Sequence, residues 1–298
     1  MILIGQHIIP RFIPFFLVTL KKIINLFQME LFFSLSGFLF FYTTQKKFKI
    51  KSLLKKKTIR LLIPFLLIGL FYLIPIRFIA NYPPYESTSL IRIIYSFLTV
   101  NDCGHLWFLP TLLGIFIIAT VLIRMTKSKQ STLICIVLML YILSPYLSSF
   151  LLITSTKYLF FFFMGYFINQ YGKQIFSIKA IYHGLATLGI LLIAYVLIFH
   201  NENRVVTTFT SITIIASLYY FMPHRTNRFI LWLDKNSFGI YLFHSPLMYI
   251  IMNKFSIIAP PAILVPMNLI FGIGGSLIIT YFLRAIKCSF VIGEKNDR

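Results

Sequence analysis

Apolar residues run along this chain in long blocks, broken by short clusters of lysine, arginine, proline and asparagine rather than by an alternating polar register. Blocks near 1–20, 25–44, 59–79, 105–124, 131–150, 156–170, 181–200, 205–222, 237–254 and 262–284 approach the ~20 residues that a helix needs to cross a hydrocarbon layer. Membrane strands alternate with period two, and nothing here does. Because backbone groups cannot stay unpaired in lipid, the expected fold is all-α, a polytopic transmembrane helical bundle of about ten spans. A single domain over 1–298 is the economical organisation, since neither an internal repeat nor a linker interrupts the blocks.

Composition agrees. With 58% hydrophobic and 12% charged residues and a mean hydropathy of +0.86, the chain cannot close as a water-soluble globule. A net charge of +21 raises the question of nucleic acid, and the placement of the charges answers it. Of the 28 lysines and arginines, 20 fall in the loops and tail on the side of the 45–60 segment. That is the positive-inside rule, so we expect no nucleic-acid partner, and a multi-pass protein of the plasma membrane with the 45–60 loop and the C-terminus cytoplasmic. Lys46, Lys47, Lys49, Lys51, Lys55, Lys56 and Lys57 form a solvated collar against anionic lipid, and the same collar suits an anionic donor arriving from the cytoplasm.

Candidate chemistry comes from ionisable residues inside spans, where each costs a few kcal/mol on insertion scales. His7, Glu30, Arg60, His105 and His244 pass this test, whereas His183, His200 and His224 sit at expected interfaces where a hydrated imidazole is cheap. His7 is either a general base or a structural histidine bonded to a neighbouring helix. Glu30, one turn ahead of Ser34, either orients a histidine or pairs with a cation across the bundle, or lies solvated near the outer interface. Arg60, followed by Pro64, is either a snorkelling anchor or a phosphate clamp. His105 and Trp107 follow Asn101-Asp102-Cys103-Gly104 at the outer edge of a span, where the Trp also suits an interfacial belt. Tyr241 and His244 share one helix face with Ser237, a face open to packing or chemistry. Cys103, Cys135 and Cys288 are too scattered for a disulfide framework or a metal cluster, so no metal and no bound cofactor is expected.

Four stretches in order, FFSLSGFLF at 32–40, KKKTIRLLIPF at 55–65, GHLWFLP at 104–110 and NSFGIYLFHSP at 236–246, resemble the acyltransferase-3 family of integral membrane acyltransferases. The resemblance runs over essentially the whole chain. It implies an enzyme that moves an acyl group, commonly acetyl, from cytoplasmic acyl-CoA to a hydroxyl of a surface or exported glycan. His7 corresponds to the family's first-span histidine, regarded as the catalytic base, and Ser36-Gly37 to its tight packing step. Lys57 and Arg60 fall on its paired-arginine motif, implicated in binding acyl-CoA. His105, Trp107, Tyr241 and His244 match later signatures and are expected to bind substrate. Glu30, which the resemblance does not assign, is expected to act with His7 in catalysis.

Two departures stand out. Met1–His7 reads as the second half of a span, and the family's first-span arginine would precede Met1: either the natural chain is longer, or Met1 is the true start and the chain lacks that arginine, which counts against activity. Lys57 keeps the charge of the first motif arginine but not its bidentate fork. Besides an enzyme, the sequence admits a polysaccharide exporter or a non-catalytic membrane subunit of a glycan assembly complex, although the internal symmetry common in transporters is not visible.

Overall fold

The computed structural model describes residues 15–45, 50–126, 129–175, 179–199, 203–221, 227–255 and 259–294. Among them every regular element is helical. The first helices are α1 (Phe15–Asn25), α2 (Gln28–Gln45) and α3 (Ile50–Ile68), which passes through a π turn (Gly69–Leu73) into α4 (Ile74–Ile79). Short α5 (Pro83–Glu86) and α6 (Leu90–Leu98) precede a 3-10 turn (Gly104–Trp107) that opens α7 (Phe108–Met125). Then come α8 (Gln130–Leu143), a 3-10 turn (Ser144–Tyr146), α9 (Phe150–Ile175), α10 (Lys179–Phe199), α11 (Arg204–Phe221), α12 (Arg228–Phe255), α13 (Pro261–Ala285) and a last 3-10 turn (Ser289–Ile292).

Among the described residues seven helical stretches are long and apolar enough to cross a membrane, against about ten expected from the whole chain. The difference has local causes. The expected span 1–20 lies largely outside the described residues, and 131–150 is met by the shorter apolar stretch Gln130–Tyr146. The 237–254 block lies inside α12, long enough at 28 residues, where Asn236, Ser237, Tyr241, His244 and Ser245 lower the hydropathy. The basic segment expected as a loop over 45–60 is helical from Ile50 onward. No glycine or proline interrupts 50–63, and Leu53 and Leu61 are buried two turns apart, so the lysines ride on the start of a long helix.

The tightest seam joins α2 to α9, more than 100 residues later in the chain. Phe33 stacks on Tyr158 at 4.5 Å, Phe40 meets Phe162 at 5.4 Å, and Phe41 lies edge-on to Tyr166 at 4.8 Å. Residue numbers rise together, so the helices run parallel. They approach this closely because Gly37 and Gly165 have no side chains: a Cβ on Gly37 would lie 1.8 Å from the Phe162 carbonyl oxygen, and one on Gly165 1.8 Å from that of Ser34. The expected Ser36-Gly37 step is therefore half right. Ser36 only bonds back to Phe32 O (3.0 Å), while fully buried Ser34 is the contact. Phe161, Phe162 and Phe163 all point into this core.

α7 runs parallel to this pair and α3 against it, with Lys57 beside Phe116 and Arg77 beside Asp102. Lys57, Arg60, Arg124 and Arg284 consequently share one end of the bundle, the basic end. Glu30, Arg77, His105 and Lys157 stand toward the other. Lys57 and Arg77 are separated by near-continuous helix of about 30 Å at 1.5 Å per residue, roughly one hydrocarbon thickness.

Candidate functional site

The 3-10 turn that carries His105 is held from two sides. On one, Arg77, only 2% exposed, donates to Asp102 Oδ1 at 2.8 Å and to Tyr85 OH at 3.1 Å, and lies over the Tyr82 ring. Gly104 follows with φ +55°, and a side chain there would strike the Arg77 guanidinium at 2.8 Å. Outside the spans, burial pushes the Tyr85 hydroxyl up in pKa against the lowering effect of Arg77, so it stays a neutral partner. Burial likewise pushes the Cys103 thiol up to about 12, which removes it as a nucleophile near neutral pH.

On the other side the turn is stapled to α12. Pro246 has no N–H, so the Leu242 carbonyl, four residues earlier, loses its helical partner. His105 Nε2 supplies the replacement bond at 3.0 Å, and Tyr241 OH donates back to the His105 carbonyl at 2.6 Å. Tyr72, turned toward α12 by the π segment, donates to Phe243 O at 3.3 Å. The proline in the 236–246 signature thus has a specific job, since it exposes the acceptor that orients His105.

Tautomers follow from these bonds. A carbonyl only accepts, so His105 Nε2 carries a proton, and Nδ1 bears the lone pair in the neutral ring. That Nδ1 is buried and has no partner among the described residues. His244 Nδ1 donates to Ile240 O at 3.0 Å and Tyr241 O at 2.9 Å, which leaves Nε2 as its lone-pair nitrogen. The His105 and His244 rings lie 5.3 Å apart, and Tyr241 lies 5.6 Å from His105. The structure therefore brings together three of the four residues expected to bind substrate.

Trp107, the fourth, is not a lipid-facing anchor. Its ring packs 6.3 Å from Phe33 and 5.7 Å from Tyr158, in an aromatic wall that continues from Phe108 to Tyr241 at 5.8 Å. Behind this wall lies Glu30. The solvated alternative for Glu30 is overturned, because it is 7% exposed with Oε1 at 3.4 Å from Lys157 Nζ. Oε2 is buried without a hydrogen-bond partner among the described residues. Lys157 in turn sits 4.7 Å from the centre of the Tyr158 ring.

Lys57 and Arg60 stand at the basic end, away from the histidines. Lys57 Nζ lies 4.5 Å over Phe116, and the backbone of Arg60 touches Gly293, whose φ of +68° lets the C-terminal turn fold against α3. Arg284, by contrast, is fully engaged, bonding Glu294 through both oxygens (2.6 and 2.9 Å) and Asn236 Oδ1 at 2.8 Å. His7 lies outside the described residues, as do His200, His224, Lys46, Lys47 and Lys49. No cluster of three or more metal-ligating side chains occurs among the described residues.

Sequence reasoning missed Arg77, Lys157 and Arg204. Two were within its reach: Arg77 falls inside the expected span 59–79 and Lys157 inside 156–170, so the insertion-cost test selects both. Arg204 sits at the edge of its helix, where an arginine carries no such signal.

Residues 2–285 match the family model described as an acyltransferase domain, in the acyltransferase-3 family. No curated protein and no solved structure matched the chain.

Proposed function

The chain belongs to the acyltransferase-3 family and is a membrane acyltransferase, and we propose that its reaction is O-acylation of a glycan. The donor is a cytoplasmic acyl-CoA, acetyl-CoA in the simplest case, and the acceptor a hydroxyl of a cell-surface or lipid-linked glycan. In this reading the protein sits in the plasma membrane with its basic end and C-terminus cytoplasmic. Lys57 and Arg60 attract the CoA phosphates, with Arg60 supplying the planar fork. His7 is the base, as the family resemblance implies, and Glu30 supports it.

The observation that carries the proposal is the paired-histidine arrangement toward the end remote from those cations, where His105 and His244 each spend one nitrogen on a backbone carbonyl and keep a lone pair on the other. Such groups suit an acceptor hydroxyl, whose O–H can donate to the lone pair and be oriented for attack. The balance is simple. The acceptor oxygen bonds to the acyl carbon, the thioester C–S bond breaks, and the proton taken by the base passes to the departing CoA sulfur.

The test is to measure ester-linked acyl groups on surface glycan in a deletion host supplied with the full-length protein or its variants. His7→Ala and His105→Ala are expected to lower acylation by about 100-fold or more at unchanged protein level. Normal acylation by the His7→Ala protein would sink the assignment of the base, and unchanged glycan esters on deleting the gene would sink the reaction.

A further inference from the structure

Beside the aromatic wall, between α2, α8, α9 and α11, lies a cavity of about 350 Å³ lined by Glu30, Tyr141, Ser144, Lys157, Arg204 and Thr207 among others. A second hollow of about 270 Å³ shares Glu30, Lys157 and Thr207 and adds Lys22. Both are close to the lower bound of pockets that take small ligands, ~300–1,000 Å³. We propose that this chamber is a subsite for an acidic sugar of the acceptor, one carrying a carboxylate or a phosphate. The assignment rests on the O-acylation reading for its biological meaning, while its chemistry stands on the chamber itself.

The charges are the first argument. Lys157 has Glu30 at 3.4 Å, but Arg204 makes no ion pair among the described residues. Its guanidinium is instead aimed by neutral groups: it lies 4.2 Å from the centre of the Tyr141 ring and donates to Tyr141 O at 2.5 Å and Ser144 Oγ at 2.7 Å. An oriented, partly desolvated cation that meets no counter-charge among the described residues is costly, and an anionic ligand supplies one. Only 8 of the 28 basic residues fall on the side opposite the basic collar, and Lys22, Lys157 and Arg204 are three of them.

The second argument is what remains unbonded. The hydroxyls of the chamber are largely spent: Tyr141 and Thr208 bond each other, Ser211 donates to Leu26 O at 2.6 Å, and Thr207 bonds back to its own helix. Two buried atoms of the chamber lining have no partner among the described residues, Glu30 Oε2 and Arg204 Nε. One is an acceptor and the other a cationic donor. A sugar bearing both hydroxyls and an acidic group satisfies the two at once, whereas a simple anion leaves the carboxylate without a donor and a neutral sugar leaves the guanidinium without a counter-charge.

The experiment uses the full-length protein purified in detergent and three probes at equal concentration: glucuronate, glucose 6-phosphate and glucose. Thermal unfolding and titration are recorded for wild type, Arg204→Gln, Arg204→Lys and the remote control Arg92→Gln. Either acidic sugar, or both, is expected to bind at least about tenfold tighter than glucose, and which one does so separates carboxylate from phosphate. Arg204→Gln should erase the preference, Arg204→Lys restore part of it, and Arg92→Gln leave it intact. Equal binding of all three sugars, or a preference that survives Arg204→Gln, overturns the proposal. Acyl transfer from acetyl-CoA is followed in the same samples. Preference for acidic sugars without transfer keeps the subsite and removes the O-acylation reading. Transfer to glucose and glucuronate with equal efficiency does the reverse.

Discussion

Helices α2 and α9 meet twice along their length, and the two meetings are opposites. At Gly37 and Gly165 the backbones touch, and buried Ser34 is drawn into the same contact. About two turns earlier on each helix, Glu30 and Lys157 line a polar chamber, with the salt bridge at 3.4 Å spanning the gap. The helix type and the parallel direction are the same in both places. Side-chain volume and charge at a few positions decide whether the pair closes into a dry seam or opens into a site, so the seam serves as the hinge pin that sets the width of the chamber.

The severest way to break this contrast is to add a methyl group to the seam. Gly165→Ala must push its new Cβ away from a backbone oxygen 1.8 Å distant, which no rotamer change relieves. We expect a loss of about 3 kcal/mol or more, seen as a lower unfolding temperature in detergent and loss of monodisperse protein. Gly184→Ala is the matched control, because nothing lies within 4 Å of its Cβ, and it should be neutral or slightly stabilising.

A smaller effect is expected in the chamber. Lys157→Met leaves the buried Glu30 without its cation, and because the Lys157 side chain is 35% exposed we expect about 1–2 kcal/mol rather than the full value for a buried pair. The double variant with Glu30→Gln should recover most of that stability while remaining inactive, which a double-mutant cycle reads directly. A chamber that merely props the helices apart would keep activity in the double variant.

Pro246→Ala sharpens the comparison from a third side, since the His105 site is opened by a missing N–H rather than by bulk. The restored N–H competes for Leu242 O, so acylation should fall about tenfold while thermal stability holds or rises. Tyr241→Phe is the mildest of the set. It removes one bond of 2.6 Å to the His105 carbonyl and should cost about 1 kcal/mol in unfolding free energy with a modest drop in turnover.

Sequence reasoning reached the family, because its signatures are local runs of residues. The helical class follows from block length, and the basic end from charge placement. Tyr241 and His244 share a face because they are three residues apart, and the structure keeps them so. What it left open for Glu30, between a solvated carboxylate and a paired one, was settled by Lys157, 127 residues away in the chain, a partner that no periodicity announces. The same holds for Trp107, whose aromatic surroundings come from α2 and α9 rather than from its own helix.

Determined by the sequence alone are the features set by spacing within one helix or by transfer from water to lipid: the apolar helical class, the charge asymmetry along the chain, and the missing N–H at Pro246. Tertiary structure decided which orphaned group meets which partner. The Leu242 carbonyl finds His105 across 137 residues of chain, Arg77 finds Asp102, and Arg204 finds aromatic, hydroxyl and backbone groups but no acid among the described residues. The physical reason is range. Propensity and hydropathy act over one or two turns, whereas a hydrogen bond inside a membrane bundle depends on which helices pack together, and the small residues at Gly37 and Gly165 choose that packing.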